Sequence, residues 1–514
     1  MPAYLEVAFF LAPGLAVMTL PAASWAAPLL VTGCLGGGFA MSHRARSLQC
    51  PDLAKARFEA RARSLVGDRK GYVSDFRGGL VLLTCLAILA VDFPCFDRKH
   101  AKTETFGVSL MDTGVGLYVF SSGLASAAAR ASLLAPRHRS PSPSERRRPG
   151  GSSSGRGGGG QKHRTTLGLP PGVSPALAIG VVRMVALKQA NYQEHASEYG
   201  LHWNFFLSLA CAWTLAAAVR WSLAALAPAW DAACSWRVME PTASSSSKRP
   251  ATRALALKRG RSGASVWLAG TGLLAAYQAA LLAHGGALTA WVMESPRHVG
   301  GDGAALAFVR ANREGLLQVV PLTALYLAAQ EVGARFVWLP RALRVKPRQL
   351  CGWGLASGAS LAAAALGAWA LCGVAWLGLQ PPSRRLANPA YVLLVLAVGT
   401  SLVALVLAAH AAAAAVPRSA TLVAMGDHQL AAFVAANLIT GAVNLSPLDT
   451  LRTGPATARL VLACHVVLVA AAARAAAARR EATGIQAVGS VEERGGKKPT
   501  HSGVRNERES KRKL

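Results

Sequence analysis

AYVLLVLAVGTSLVALVLAAHAAAAAV, residues 390–416, runs for 27 residues without one Asp, Glu, Lys or Arg. About 20 mainly apolar residues cross the hydrocarbon core of a bilayer as a helix. This stretch therefore predicts a membrane span, and working outward from it finds eleven more of the kind. The expected spans are 3–20, 25–41, 77–93, 107–130, 171–188, 203–227, 265–284, 315–335, 353–378, 390–416, 428–445 and 457–478. Pro13 and Pro321 inside them are no objection, because membrane helices tolerate proline. The first run is followed directly by a second, so it reads as a span and not as a cleavable signal. Only 16% of the chain is charged and mean hydropathy is +0.31, which disfavours a large soluble protein. The fold class expected is all-α, a polytopic bundle of about 12–13 transmembrane helices.

The charge pattern orients the bundle. A formal net charge of +30 invites a nucleic-acid reading, but the cations form no stripe with interleaved aromatics on a folded module. They sit instead in every second connection, Arg44 to Lys70, Arg137 to Arg164, Arg237 to Arg261 and Arg335 to Arg348, and in the tail from Lys497 to Lys513. Only the connection near Pro417 and Arg418 is nearly neutral. Basic connections stay on the cytosolic side. The alternate connections, 94–106, 189–202, 285–314, 379–389 and 446–456, then share the opposite, lumenal side. Two basic insertions, near 131–168 (with SPSPSERRRPGGSSSGRGGGG) and 241–262, read as disordered and cytosolic from their Ser/Gly/Pro/Arg composition. Residues 1–480 form the membrane domain and 481–514 a basic disordered tail.

Polar residues at span ends carry the chemistry, since each is costly near lipid unless it works or pairs. In ILAVDFPCFDRKHAKTETFGVSLMDTGVG a span ends at Asp92, a polar loop follows, and the next span carries Asp112 near its start. Asp92 with Lys102 suits a general base beside a cation, and equally an interfacial ion pair that fixes the loop. YQEHASEYGLHWNFF places Glu194, His195, Glu198 and His202 together, with Trp203 and Phe205–Phe206 reading as an interfacial aromatic belt. The spacing is not HExxH, and none of the nine cysteines falls in a CxxC pair, so no metal site is expected. FVRANREG and SRRLANPAY offer Arg310, Arg313, Arg384 and Arg385 as phosphate forks or headgroup anchors. Asn437 and Asn444, seven residues apart within one span, lie near one helix face, bonded to neighbouring helices or lining a cavity.

Taken together, RGG…ILAVDFP, FDRKHAKTETFG, SLMDTGVG, YQEHASEYGLHWNFF, ANREG, SRRLANPAY and ANLITGAVNLS resemble the PIG-W family of inositol acyltransferases. They stand in that family's order across roughly residues 77–450. The resemblance implies a multi-pass endoplasmic-reticulum enzyme of glycosylphosphatidylinositol (GPI) anchor synthesis. Such an enzyme moves an acyl group, usually palmitoyl, from acyl-CoA to the inositol 2-hydroxyl of glucosaminyl-phosphatidylinositol. It implies acyl-CoA as co-substrate and no bound cofactor. Its acid–base pair falls on Asp92 and Lys102. Its substrate contacts are expected among Asp112, Glu194, His195, Glu198, His202, Trp203, Asn204, Asn312, Arg313, Arg384, Arg385, Asn437 and Asn444. Partners are the sugar-lipid, acyl-CoA and membrane lipid, with no nucleic acid. That family usually has thirteen spans, against the twelve counted here. The main rival is a transporter of a lipid or small polar solute, which predicts broken helices or inverted repeats. The HxxxxD signature of another acyltransferase class is absent, and the one GxSxG match, GSSSG, lies in the low-complexity insertion.

Overall fold

A computed structural model describes Leu65 and residues 71–131, 170, 172–190, 196–234, 250–297, 303–338, 350–412 and 419–496. Among these residues every regular element is helical. In chain order the main helices are α1 (Gly71–Ala90), α2 (Leu110–Leu124), α3 (Val173–Ala190), α4 (Phe205–Cys234) and α5 (Pro250–Met293). There follow α6 (Ala304–Ala311), α7 (Arg313–Val332), α8 (Leu350–Gly378), α9 (Pro389–Ala412), α10 (Ala420–Asp427), α11 (Gln429–Leu445) and α12 (Pro455–Gly496). The protein is an all-α polytopic membrane protein.

Among the described residues seven helices are long and apolar enough to cross a bilayer, and there is an eighth span if α10 and α11, bent by 95° at His428, count as one. With α2 and α3 these match ten of the twelve runs; 3–20 and 25–41 lie outside the described residues. Two expected spans prove shorter or broken. The span set at 107–130 becomes the 15-residue α2, because Ser109 caps it in a reciprocal box with Asp112 and Gly107 at φ +126° cannot extend it. At about 1.5 Å per residue, α2 is only about 22 Å long. The span set at 428–445 is preceded by the eight-residue α10, capped by Ser419, whose hydroxyl accepts from the Leu422 amide at 3.0 Å.

Helix also enters segments expected to be disordered. α5 begins at Pro250, inside 241–262, and α12 runs to Gly496, inside the tail set at 481–514. Proline is well placed at a first helical position, and ATRALALK and AAAARREA are strong helix formers. α5 is itself interrupted at Ala283–Gly286, where His284, Gly285 and Gly286 have positive φ, at the point where the sequence ended that span.

Packing explains which faces are dry. The central core joins α1, α2, α4, α7 and α9 through Tyr72, Phe76, Phe120, Phe205, Leu325, Tyr391 and Val395. α1 and α10 meet backbone to backbone. A Cβ added at Gly78 would lie 2.1 Å from the Leu422 carbonyl oxygen, and one at Gly426 would lie 2.4 Å from that of Ser74. Such approach is how membrane helices gain dispersion contacts without a hydrophobic drive between them. Outward faces stay apolar and open: Leu366, Val374 and Leu377 on α8 are 69%, 70% and 90% exposed, as a lipid-facing surface should be.

Candidate active site

Four of the five connections that the charge pattern assigns to one side, and the end of α11 that leads into the fifth, meet at one end of the bundle. The loop after α1 reaches the turn before α4 through Lys102 and Glu198, which form a close ion pair. The turn before α9 grips the same loop: the Gly107 amide donates to the Pro382 carbonyl at 2.8 Å and the Ser383 hydroxyl to that of Thr105. The turn into α7 meets the turn before α4, where the His202 amide donates to Asn312 Oδ1 at 2.8 Å. The C-terminal end of α11 meets the loop after α1, where Asn444 Nδ2 donates to Asp92 Oδ2 at 3.0 Å.

Two charged networks fill this end. In the first, Glu198 bridges Lys102 and Arg384, the Arg384 contact being 3.8 Å, and Arg384 Nε donates to Asp112 Oδ1 at 3.1 Å. Asp112 also accepts from the Thr103 amide and hydroxyl and from the Ser109 amide. The series Lys102–Glu198–Arg384–Asp112 is neutral overall. Arg384 Nε is buried, as is Asp112, whose side chain is 1% exposed; Lys102 is 38% exposed. Its cation therefore reaches open space while its partner Glu198 is anchored below.

The second network holds Glu314, fully buried, between Arg297 at 2.7 Å and Arg385 at 2.9 Å. Arg313 and Arg385 then turn to the end of α5. Arg313 donates to the carbonyls of Val292, Ser295 and Pro296, and Arg385 to those of Val292 and Met293. A helix ends in unsatisfied carbonyls and a partial negative charge, and two guanidinium groups satisfy both. Gln318 links the networks by donating to the Arg385 and Glu198 carbonyls.

Asp92 stands at the C-terminal end of α11, just beyond the end of α1. Burial raises its carboxyl above the ordinary carboxylate range, against the hydrogen bond from Asn444 and the positive charges of Arg98 and Lys102. A carboxylate of raised basicity, part-exposed and within the electrostatic reach of an accessible ammonium, can take a proton from a hydroxyl and leave the cation to meet the charge that develops.

Several expected site residues have other duties. Arg313 caps α5 with all three of its nitrogens and is 2% exposed. Asn204 caps α4, its Oδ1 accepting from the Phe206 and Leu207 amides, and its Nδ2 donates to the Gly180 carbonyl. Asn312 is held in its turn by the Phe308 carbonyl. The Trp203 indole lies over Gly315, where a Cβ would come within 2.2 Å of it, and donates to Ser208. Phe205 and Phe206 do not form an interfacial belt: both are buried against Tyr118 and Phe433. Such edge-to-face ring contacts repay burial better than the bilayer interface does. Asn437 pairs with Arg183 at 3.0 Å, farther along α11.

Asp92, Lys102, Asp112, Glu198, Arg384, Arg385 and Asn444 are gathered at one end, while Glu194 and His195 lie outside the described residues. His202 adjoins the cluster through its backbone, and its Nδ1 is buried without a hydrogen-bond partner among the described residues. Sequence reasoning overlooked Glu314 and Gln318, although ANREG and the glutamine one turn later display them. Among the described residues no three His, Cys, Asp or Glu side chains are grouped to hold a metal.

Comparison with known proteins gives the family. Residues 1–239 and 251–476 match the GWT1 family model. GPI-anchored wall transfer protein 1 of Aspergillus oryzae is 28% identical over 433 residues, covering 79% of this chain and 71% of the relative. The phosphatidylinositol-glycan biosynthesis class W protein of Dictyostelium discoideum is 31% identical over 398 residues, covering 74% and 68%. GPI-anchored wall transfer protein 1 of Eremothecium gossypii is 44% identical over a shorter stretch of 146 residues, which spans only 26% of that relative. With a family model matched along most of its length, this chain belongs to the GWT1 family.

Proposed function

We propose that this protein transfers an acyl group from acyl-CoA to the inositol 2-hydroxyl of glucosaminyl-phosphatidylinositol, on the lumenal face of the endoplasmic-reticulum membrane. Relatives named for GPI anchoring and phosphatidylinositol-glycan biosynthesis support the pathway. The observation that carries the chemistry is Asp92, a part-buried carboxylate held by Asn444 at the end where the connections converge, with Lys102 within electrostatic reach.

In the proposed step Asp92 removes the hydroxyl proton as the oxygen attacks the thioester carbonyl. Lys102, held by Glu198, faces the oxyanion that forms on that carbonyl. Collapse breaks the carbon–sulfur bond, and the proton held by Asp92 passes to the departing thiolate. An ester and a free thiol result, with no net proton released. Arg313 and Arg385 are committed to the end of α5 and Arg384 to two carboxylates, so none of these three is assigned to the phosphodiester.

The transporter reading draws on the 95° bend between α10 and α11, because broken helices often line transport sites. One experiment separates the two. Cells lacking inositol acylation are given the wild-type chain, Asp92→Asn or Lys102→Met, and labelled GPI precursors are followed by mobility. Acylated precursor with the wild type and none with Asp92→Asn, at equal protein level, is the expected result. Acylation by Asp92→Asn removes Asp92 from its role, and a purified wild-type protein that cannot acylate overturns the enzyme reading.

A further inference from the structure

Asn444 Nδ2 donates to Asp92 Oδ2 at 3.0 Å. A carboxylate only accepts, so the amide must present its NH2 group to Asp92 and turn its carbonyl oxygen elsewhere. That oxygen, Asn444 Oδ1, is enclosed and has no hydrogen-bond partner among the described residues. An enclosed acceptor without a donor costs free energy unless something fills it. The group that fills it must donate a hydrogen bond, and it must sit beside whatever gives its proton to Asp92.

From this we infer that Asn444 is a positioning residue with a second duty: it holds Asp92 through Nδ2 and receives, through Oδ1, the hydroxyl adjacent to the one being acylated. A vicinal diol matches the pair, one hydroxyl to the carboxylate and its neighbour to the amide oxygen. An isolated alcohol satisfies only half of it. The inference rests on the proposed acyl transfer to inositol and deepens it by naming what selects the acceptor. Thr440, one turn earlier on the same face at about 100° per residue, has a buried hydroxyl that likewise has no hydrogen-bond partner among the described residues.

The Asn444 bond also opposes the rise that burial imposes on Asp92. Removing it should therefore move the acidic limb of the rate profile to higher pH, which mere loosening of the helix would not do. The test uses the full chain in lipid nanodiscs with palmitoyl-CoA, synthetic glucosaminyl-phosphatidylinositol, and an analogue in which one hydroxyl next to the reacting one is replaced by hydrogen. Asn444→Ala should lower kcat/KM for the complete acceptor roughly 10- to 100-fold, the range for a hydrogen bond to a charged group. It should raise the acidic limb, and it should erase most of the preference for the complete acceptor over the analogue. Should Asn444→Ala aggregate, the near-isosteric Asn444→Asp tests the same point, since it replaces a donor by a like charge and should also raise the limb. An unshifted limb and intact discrimination in a folded Asn444 variant, with Asp92→Asn inactive, overturn this inference alone. An active Asp92→Asn overturns the underlying acyl-transfer reading instead.

Discussion

Replacing Asp112 by Asn tests the first charged network. The wild-type carboxylate is 1% exposed and accepts four hydrogen bonds: from Thr103 N at 3.1 Å, Thr103 Oγ1 at 2.9 Å, Ser109 N at 2.9 Å and Arg384 Nε at 3.1 Å. Asn is nearly the same size, so packing is kept and only the charge and one acceptor oxygen are lost. Arg384 then stands buried with Glu198 alone, at 3.8 Å, and a neutral series becomes positive by one unit. Breaking a buried pair from one side costs about 3–5 kcal/mol. Arg384→Met alone should cost a similar amount by stranding Asp112. The double variant removes both charges, so its cost should fall short of the two added together by roughly 0.5–3 kcal/mol. Unfolding by sodium dodecyl sulfate in mixed micelles measures each value. A single cost below about 1 kcal/mol, or strict additivity in the double variant, would refute the claim that this network fastens the loop after α1 to the turn before α9.

Other outcomes follow from the same geometry. Gly78→Ala should damage folding by about 1–3 kcal/mol or more, because its Cβ would enter the Leu422 backbone, while Gly79→Ala, with nothing within 4 Å, should be close to silent; monodispersity after detergent extraction distinguishes them. Activity should fall as pH drops through the raised value of Asp92, since the base must be ionised, so the acidic limb should lie above the ordinary carboxylate range. Stability runs the opposite way. A carboxyl whose folded pKa is raised contributes stability that is fully present below its unfolded pKa and lost as pH rises through the folded one. Asp92→Asn should therefore be inactive yet at least as stable as wild type at neutral pH, and a destabilised variant would contradict the burial of that group.

Much of this was legible in the chain because membrane and charge leave plain marks. Lysine and arginine in alternate connections assign five loops to one side, and the contacts of Lys102, Glu198, Asn312 and Ser383 bring four of them together, with Asn444 joining the end of α11 to Asp92. The box Ser109–Asp112, which the span set at 107–130 passed over, marks why α2 begins at Leu110. Other features depend on partners distant in sequence. Nothing near Arg313 says that the end of α5 will arrive beside it, so a fork suited to phosphate was expected where a helix cap stands. Nor does Phe205 announce Phe433. The bend at His428 escaped notice because α10 has only eight residues, too few to declare a period.

The arginine caps have a consequence for how this end behaves under chemical attack. Backbone carbonyls do not titrate, so the hold of Arg313 on α5 does not depend on any carboxylate staying ionised, whereas the hold on Lys102 does. A carbodiimide, which consumes carboxylates, should likewise silence the lysine while leaving the α5 end seated. One network at this end is thus anchored by charges that can be switched off, and the other adds to its Glu314 pairs a set of dipoles that cannot.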